Sequence, residues 1–189
     1  MEEPKSKAKR GAKTAAAAQE DKITLLPLSE LHDFPNHPFK VRDDEAMQET
    51  TESIRQYGVL VPAIVRPREG GGYEIISGHR RDYCAKAVGL DTRPVIVRNY
   101  SDEEADILVV DYNINREDLL PSEKAKAYKL KLDAMKRQAG RPSRENGDQV
   151  GPHYFRGKSK EILAEQVNES TSQIQRYVRL NKLIPPLLD

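Results

Sequence analysis

The spacing of apolar residues between positions 23 and 113 alternates between strand-like and helix-like stretches. The short apolar runs ITLLPL, VLVPAIVRP, YEIIS and PVIVR predict strands, and the three glycines at 70–72 predict a hairpin between the second and third runs. Helical spacing predicts helices at about 43–57, 79–88 and 101–113, with Ser101 as the N-cap of the last. This mixture of elements indicates an α+β domain.

The chain after residue 118 shows only helical patterns. A long helix is predicted from Pro121 to Ala139, because proline suits a helix start and the following Gly-Arg-Pro suits its end. The polar stretch GRPSRENGDQVGPHYFRGK is expected to form a flexible loop. Two short helices then follow at 159–167 and 171–183, so this part of the chain is expected to be all-α.

Three regions follow from these patterns. Residues 1–21 contain no apolar side chain larger than alanine except Met1, which predicts a disordered tail. We expect the α+β domain to cover 22–118 and the all-α domain to cover 119–189.

The segment SKEILAEQVNESTSQIQRYVRLNKL, at about 159–183, fits a helix-turn-helix. Asn168 tolerates the left-handed backbone that a tight turn between helices requires, and Ser170 followed by Gln173 matches a capping box. The residues expected to face outward and read DNA are Ser170, Thr171, Ser172, Gln175, Arg176 and Arg179. The alternative is an ordinary helical hairpin whose polar face is only solvated.

Composition and charge narrow the class of protein. Charged residues make up 32% of the chain and mean hydropathy is -0.75. No apolar run approaches the roughly 18 residues that a membrane helix needs, and the single cysteine, Cys84, excludes an internal disulfide. We expect a cytoplasmic protein with no membrane segment.

The charges are unevenly distributed. Residues 101–118 contain seven acids and one base, whereas 123–144 contain eight bases and two acids. A basic C-terminal third attracts phosphate backbones better than the same charge evenly spread, although solvated helix faces would give the same count.

The segment ISGHRRDYCAKAVG carries a second candidate site. An apolar strand ends at Ser77, Gly78 permits a close turn, and a helix begins with Arg80 and Arg81. Free N–H groups at a helix start, together with arginines, suit a polyphosphate. The alternative is that both arginines pair with local acids.

The chain here resembles the ParB partition family. The stretches SIRQYGVLVPAIVRP, GGYEIISGHRRDYCAKAVGL and NINREDLLPSEKAKAY, followed by the helix-turn-helix, look like the family's successive signatures in the right order over about 23–189. The helical part looks especially like members carried by plasmids and conjugative elements of Gram-positive bacteria.

The resemblance implies a ParB/sulfiredoxin-like α+β domain that binds CTP with Mg²⁺. It implies a homodimer in the full-length protein, clamped on double-stranded DNA, and a ParA-type ATPase as partner. Asn113 would also be a metal ligand. Carried over by matching motifs, the nucleotide-binding residues would be Arg42, Gly58, Gly78, His79, Arg80, Arg81, Asn113 and Arg116.

Two departures from the family pattern bear on catalysis. The family's Gly-Glu-Arg-Arg has His79 in place of its glutamate, and its Glu-Asn pair has Tyr112 before Asn113. Losing a carboxylate should weaken a Mg²⁺ site, since Mg²⁺ prefers oxygen ligands. Asp111 and Glu117 are the candidates to compensate, and CTP hydrolysis is left open.

Three alternatives remain. A ParB-like nuclease could use His79, Asp111 and Glu117. Sulfiredoxin-type chemistry would need a reactive cysteine, whereas Cys84 is expected to be buried in a helix. A DNA-binding regulator could keep the fold without binding a nucleotide.

The family normally continues with further helices and a dimerisation domain, so we expect the full protein to be longer.

Overall fold

The structure, a computed structural model, describes residues 22–35, 37–116, 118–140 and 159–183. The predicted tail at 1–21 and most of the predicted loop, at 141–158, lie outside these residues, as does Glu117. Within the described ranges, no helix is long and apolar enough to cross a membrane.

Strands and helices alternate in the first part of the chain, and only helices follow, as the patterns predict. The α+β fold class is therefore confirmed. A 3-10 turn at Leu28–Glu30 separates the first two strands. The elements are β1 Ile23–Pro27, β2 Leu31–His32, α1 Glu45–Tyr57, β3 Ala63–Pro67, β4 Tyr73–Ser77, α2 His79–Val88, β5 Thr92–Val97, α3 Asp102–Asp111, α4 Pro121–Gly140, α5 Ser159–Gln166 and α6 Thr171–Leu180.

The strands form one five-stranded mixed sheet in the order β1-β5-β3-β4-β2. β3 and β4 are antiparallel, with Val65 opposite Ile75, so the hairpin predicted at the three glycines is confirmed. β5 pairs with β1 antiparallel and with β3 parallel. Val65, Ile75 and Val95 are fully buried, which places the core of this domain on the central strands.

A second core joins α3 to the three C-terminal helices. Val110 at the end of α3 packs in one cluster with Tyr128 of α4, Leu163 of α5 and Ile174 of α6. The domain boundary expected between 118 and 119 stays a prediction, and this apolar packing crosses it.

The turn between α5 and α6 has the predicted geometry. Asn168 has a φ of 52°, the left-handed region that asparagine tolerates. Ser170 is the N-cap of α6, and its hydroxyl accepts a hydrogen bond from the Gln173 backbone N–H at 3.1 Å. Asn181, just after α6, donates from Nδ2 to the Ala125 carbonyl at 2.7 Å, which fixes α6 against α4.

Ile174 should determine the stability of the helical part because its side chain is fully buried against α4 and α5. We expect Ile174→Ala to lower the free energy of unfolding by about 2–5 kcal/mol, measured by urea denaturation. The matched control is Gln175→Ala on the exposed face of the same helix, which should change stability by less than about 0.5 kcal/mol. Equal effects of the two substitutions would contradict this packing.

Candidate functional site

A cleft of about 250 Å³ lies where the β4–α2 turn meets the loop before α1 and the segment after α3. Its lining combines backbone at a helix start with basic and aromatic side chains. The residues that line it are His37, Phe39, Lys40, Val41, Thr50, Ser77, Gly78, His79, Arg80, Arg81, Tyr112, Asn113 and Arg116. Six of the eight residues expected to bind nucleotide are thus brought together in one place.

Gly78 forms the turn between β4 and α2. It is the N-cap of α2 with a φ of 105°, a conformation that residues with a side chain rarely adopt, and no side chain caps the helix. A Cβ at this position would lie 3.1 Å from Arg93 Nη2 and 3.3 Å from the Ala63 Cβ. The turn therefore requires glycine for both conformation and space, and it leaves the first N–H groups of α2 without a side-chain acceptor.

Arg93 of β5 supports this turn from beneath. Its side chain is fully buried, and Nη1 donates to the Gly78 carbonyl at 3.2 Å and to Asp82 Oδ1 at 3.3 Å. Asp82 also pairs with Lys86 at 2.8 Å. Removing one partner of a buried ion pair costs about 3–5 kcal/mol, so the pair fixes the start of α2 relative to the sheet.

Two histidines lie side by side in the cleft. The ring centroids of His37 and His79 are 4.0 Å apart, and the Nε2 atom of each ring is buried with no hydrogen-bond partner among the described residues. Burial lowers the pKa of His37 and, helped by His37 and Arg93, lowers the pKa of His79 to about 3. Both rings are therefore neutral at physiological pH.

The cleft arginines have different surroundings. Arg80 Nη2 donates to Asp44 Oδ1 at 2.9 Å, and the same oxygen caps α1 by accepting from the Met47 N–H. Arg116 pairs with Asp118 at 3.3 Å. Arg81 has no ion pair among the residues that the structure describes. The alternative that local acids occupy both helix-start arginines therefore holds for Arg80 but not for Arg81.

Two residues expected at the nucleotide lie outside the cleft lining. Arg42 Nη2 donates to Glu123 Oε2 at 2.7 Å, near the start of α4. Gly58 ends α1 with a φ of 71°. Their roles toward a nucleotide stay predictions.

Asp111 was a candidate to compensate for the carboxylate that the family pattern has and this chain lacks, but it bonds elsewhere. Its Oδ1 accepts hydrogen bonds from Lys131 of α4 and, at 2.8 Å, from Gln166 of α5. Lys131 Nζ, whose side chain is 4% exposed, also donates to Gln166. Asp111 is therefore engaged with the helical part and does not replace a missing cleft carboxylate. It directly precedes Tyr112 and Asn113, so this network connects the cleft edge to α5.

The second candidate site is the outward face of α6. All six residues expected to contact DNA are exposed: Ser170, Thr171, Ser172, Gln175, Arg176 and Arg179. Ile174, between them in sequence, is fully buried, so the helix separates a packed face from a free polar face.

Two residues important to the cleft were not identified from the sequence. His37 lies in the irregular loop before α1, where no periodic pattern marks it, and Arg93 lies on a strand, where an arginine usually faces solvent. The only sequence signal for Arg93 is its alternation with Val95, which is buried on the same strand.

Comparisons with known proteins identify the family of the chain and support its fold. A family model described as ParB N-terminal domain matches residues 12–114. The chain therefore belongs to the ParB N-terminal-domain family, as the motif resemblance predicts.

Relatives of the chain include proteins with two named roles. It is 32% identical over 167 residues to the chromosome-partitioning protein Spo0J of Thermus thermophilus, which covers 88% of this chain and 54% of that protein. It is 33% identical over 164 residues to the nucleoid occlusion protein of Listeria innocua, covering 86% and 50%. The chain spans about half the length of these curated relatives.

A solved structure is similar over both parts of the chain. The C-terminally truncated chromosome-partitioning protein ParB from Caulobacter crescentus, complexed to the centromeric parS site, has a TM-score of 0.53 and 25% identity. The match covers 87% of this chain and 74% of that chain.

The buried histidines predict a measurable sensitivity to acid. Unfolding exposes His79, whose pKa then returns from about 3 to the usual histidine value of 6.5. As pH falls below about 6.5, the unfolded chain binds a proton that the folded chain does not, so stability falls by up to about 1.4 kcal/mol per pH unit. This loss ends near pH 3.

The measurement is urea denaturation of the wild type and of His79→Gln between pH 4 and 7. Because the carboxylates titrate in both proteins, only the difference between the two curves reports His79. The wild type should lose stability more steeply on acidification. Parallel curves would show that His79 is not a buried neutral group.

Proposed function

We propose that this chain binds CTP in the cleft and a specific DNA sequence through α6, as the nucleotide- and DNA-binding part of a partition protein. The observation that carries the proposal is the uncapped start of α2, where Gly78 and Arg81 face a polar cleft. The replicon would be a chromosome, a plasmid or a conjugative element.

The charge of the cleft favours an anionic ligand. Arg80, Arg81 and Arg116 line it, and no carboxylate is found among its described lining residues. Helix-start N–H groups and arginines are the donors that bind phosphate most effectively. A triphosphate would also compete with Asp44 for Arg80, since the two are paired in the structure. The choice of cytosine as the base rests on the motif resemblance.

The same lining does not fit Mg²⁺ well. Mg²⁺ is usually held by carboxylates with near-octahedral oxygen coordination, whereas the side chains here offer mainly nitrogen atoms, with the Asn113 amide and three hydroxyls. No group of three or more potential ligand residues occurs in the described part of the chain. We therefore assign no catalytic step to Mg²⁺.

The DNA-binding proposal rests on the shape and charge of the last two helices. The exposed residues of α6 can hydrogen-bond to base edges or phosphates, and the N-terminal half of such a helix enters the major groove in helix-turn-helix proteins. The similar Caulobacter protein was solved on its parS site. A homodimer, a ParA-type ATPase partner and a place in the cytoplasm on the nucleoid or plasmid belong to the same proposal for the full-length protein.

The enzyme alternatives find less support. Cys84 is buried beside Met47, as expected, and not at the cleft surface. A nuclease would need Asp111, which is bonded to Lys131. Nicking of supercoiled plasmid in Mn²⁺ would favour the nuclease.

Arg81 provides the test of nucleotide binding. We expect calorimetry to show CTP binding that ATP and GTP do not match. Arg81→Ala should weaken it roughly 10- to 100-fold, because a hydrogen bond to a charged group contributes about 1.5–3 kcal/mol. The matched control is Arg68→Ala, an exposed arginine in the β3–β4 hairpin away from the cleft. A folded wild type that binds no nucleotide would support the nucleotide-free regulator.

Arg176 provides the test of sequence reading. After selection of a preferred duplex from random DNA, Arg176→Ala should weaken binding to that duplex by about 1–3 kcal/mol and affect a scrambled duplex much less. Arg55→Ala, on the exposed side of α1, should leave both affinities unchanged. Equal losses on both duplexes would mean that Arg176 contacts only phosphate. No loss on either duplex would mean that α6 does not contact the DNA.

A further inference from the structure

We propose that the cleft binds the phosphate chain of its ligand in the metal-free form, and that Mg²⁺ competes with the protein for this chain. The basic side chains of the lining would neutralise the phosphates, which a divalent ion otherwise does for a nucleoside triphosphate. The identity of the nucleotide rests on the proposed function. The preference for a metal-free phosphate chain follows from the lining itself.

The first argument is the charge of the lining. No described residue of the lining is acidic, and four are cationic: Lys40, Arg80, Arg81 and Arg116. The two histidines add no charge, because burial lowers the pKa of each and keeps both rings neutral. A metal-free nucleoside triphosphate carries roughly four negative charges at neutral pH, since its terminal phosphate has a second pKa of about 6. The lining can therefore balance the phosphate chain without a divalent ion.

The second argument is the state of the nearest carboxylates. Three carboxylates that contact lining residues are each paired with an arginine, and the Glu123 side chain is only 6% exposed. A divalent ion could use one of them only after its arginine had left, and the freed guanidinium would then repel the ion. Metal binding there would therefore break an existing ion pair. The pairs are Asp44 with Arg80, Asp118 with Arg116 and Glu123 with Arg42.

The third argument is the set of donors that remain for a ligand. Arg81 has no ion pair among the described residues, and no side chain caps the start of α2. Guanidinium and backbone N–H groups can only donate, so they bind phosphate oxygens and cannot coordinate a metal ion. Mg²⁺ coordinates the same phosphate oxygens. An oxygen held by Mg²⁺ is a poorer acceptor for the protein, so the ion and the cleft compete for it.

Tyr112 is the position at which this charge balance can be changed. It lines the cleft beside Asn113, is 47% exposed, and stands where the family pattern has a glutamate. A carboxylate at this position would give Mg²⁺ an oxygen ligand and would repel a metal-free phosphate chain. Because the side chain is exposed, a polar substitution should leave the core intact.

The test is calorimetry of CTP with the wild-type chain at about pH 7.5, in EDTA and in excess Mg²⁺, with KCl added to equalise the ionic strength. We expect CTP to bind in EDTA and its apparent affinity to fall at least about tenfold in Mg²⁺. The physical reason is that chelated phosphate oxygens lose at least one charge-assisted hydrogen bond to the protein. Inorganic tripolyphosphate should displace CTP in EDTA. This comparison uses the unmodified chain and does not depend on how variants fold.

Two variants test whether charge is the cause. Tyr112→Glu adds a carboxylate to the lining, and Tyr112→Gln is its uncharged match of nearly the same size. Compared with Tyr112→Gln, Tyr112→Glu should bind metal-free CTP roughly fivefold less tightly, because a like charge is added near the phosphates. It should also lose less affinity when Mg²⁺ is added. Identical behaviour of the two variants in both conditions would overturn the inference.

The outcomes separate this inference from the proposed function. CTP binding that needs Mg²⁺, or that is equal or tighter in Mg²⁺, would overturn the metal-free site and leave the proposed function standing. Tripolyphosphate binding in EDTA that Mg²⁺ and Arg81→Ala weaken and Arg68→Ala does not, with no binding of CTP, would support the metal-free site and contradict the proposed function. A folded chain that binds neither ligand in either condition would overturn both.

Discussion

The cleft depends on one buried contact, the hydrogen bond from Arg93 to the carbonyl of Gly78. This contact joins a central strand to the start of α2, and it works only because Gly78 has no side chain to displace the guanidinium. Asp82 compensates the buried charge. The position of the cleft arginines, of His79 and of the free helix N–H groups all follow from where this turn is held.

The acidic middle of the chain has a structural use that its composition does not reveal. Asp102 pairs with Arg66, Asp106 with Arg137, and Asp111 with Lys131. The first pair joins α3 to β3, and the other two join α3 to α4. The acids therefore position α3. None of these three pairs uses a basic residue of α6.

Most elements could be predicted from the sequence because their signals are local. Ser101 and Ser170 cap helices where a capping pattern is expected, and α2 begins and ends at the predicted residues. β2 could not be predicted, because two residues are too few to show alternation and its pairing with β4 comes from distant sequence.

The cleft was only partly predictable, because only those of its residues that are close together in the sequence give a local signal. Gly78, Arg80 and Arg81 are adjacent in one motif, so their sequence alone indicates a phosphate site. His37 reaches His79 across 42 positions of sequence, and Arg93 reaches Gly78 from another strand. Contacts of this kind are set by the sheet order and by burial, neither of which has a local pattern.

Lys131 has a consequence for how the two parts of the chain can move. One ammonium group with a nearly buried side chain serves a carboxylate at the end of α3 and an amide on α5. A partial separation of α3 from α5 would leave that charge without its partners in a poorly solvated place, at a cost of several kcal/mol. Intermediate openings are therefore disfavoured, and α3 should either stay docked on the helical part or leave it in a single step.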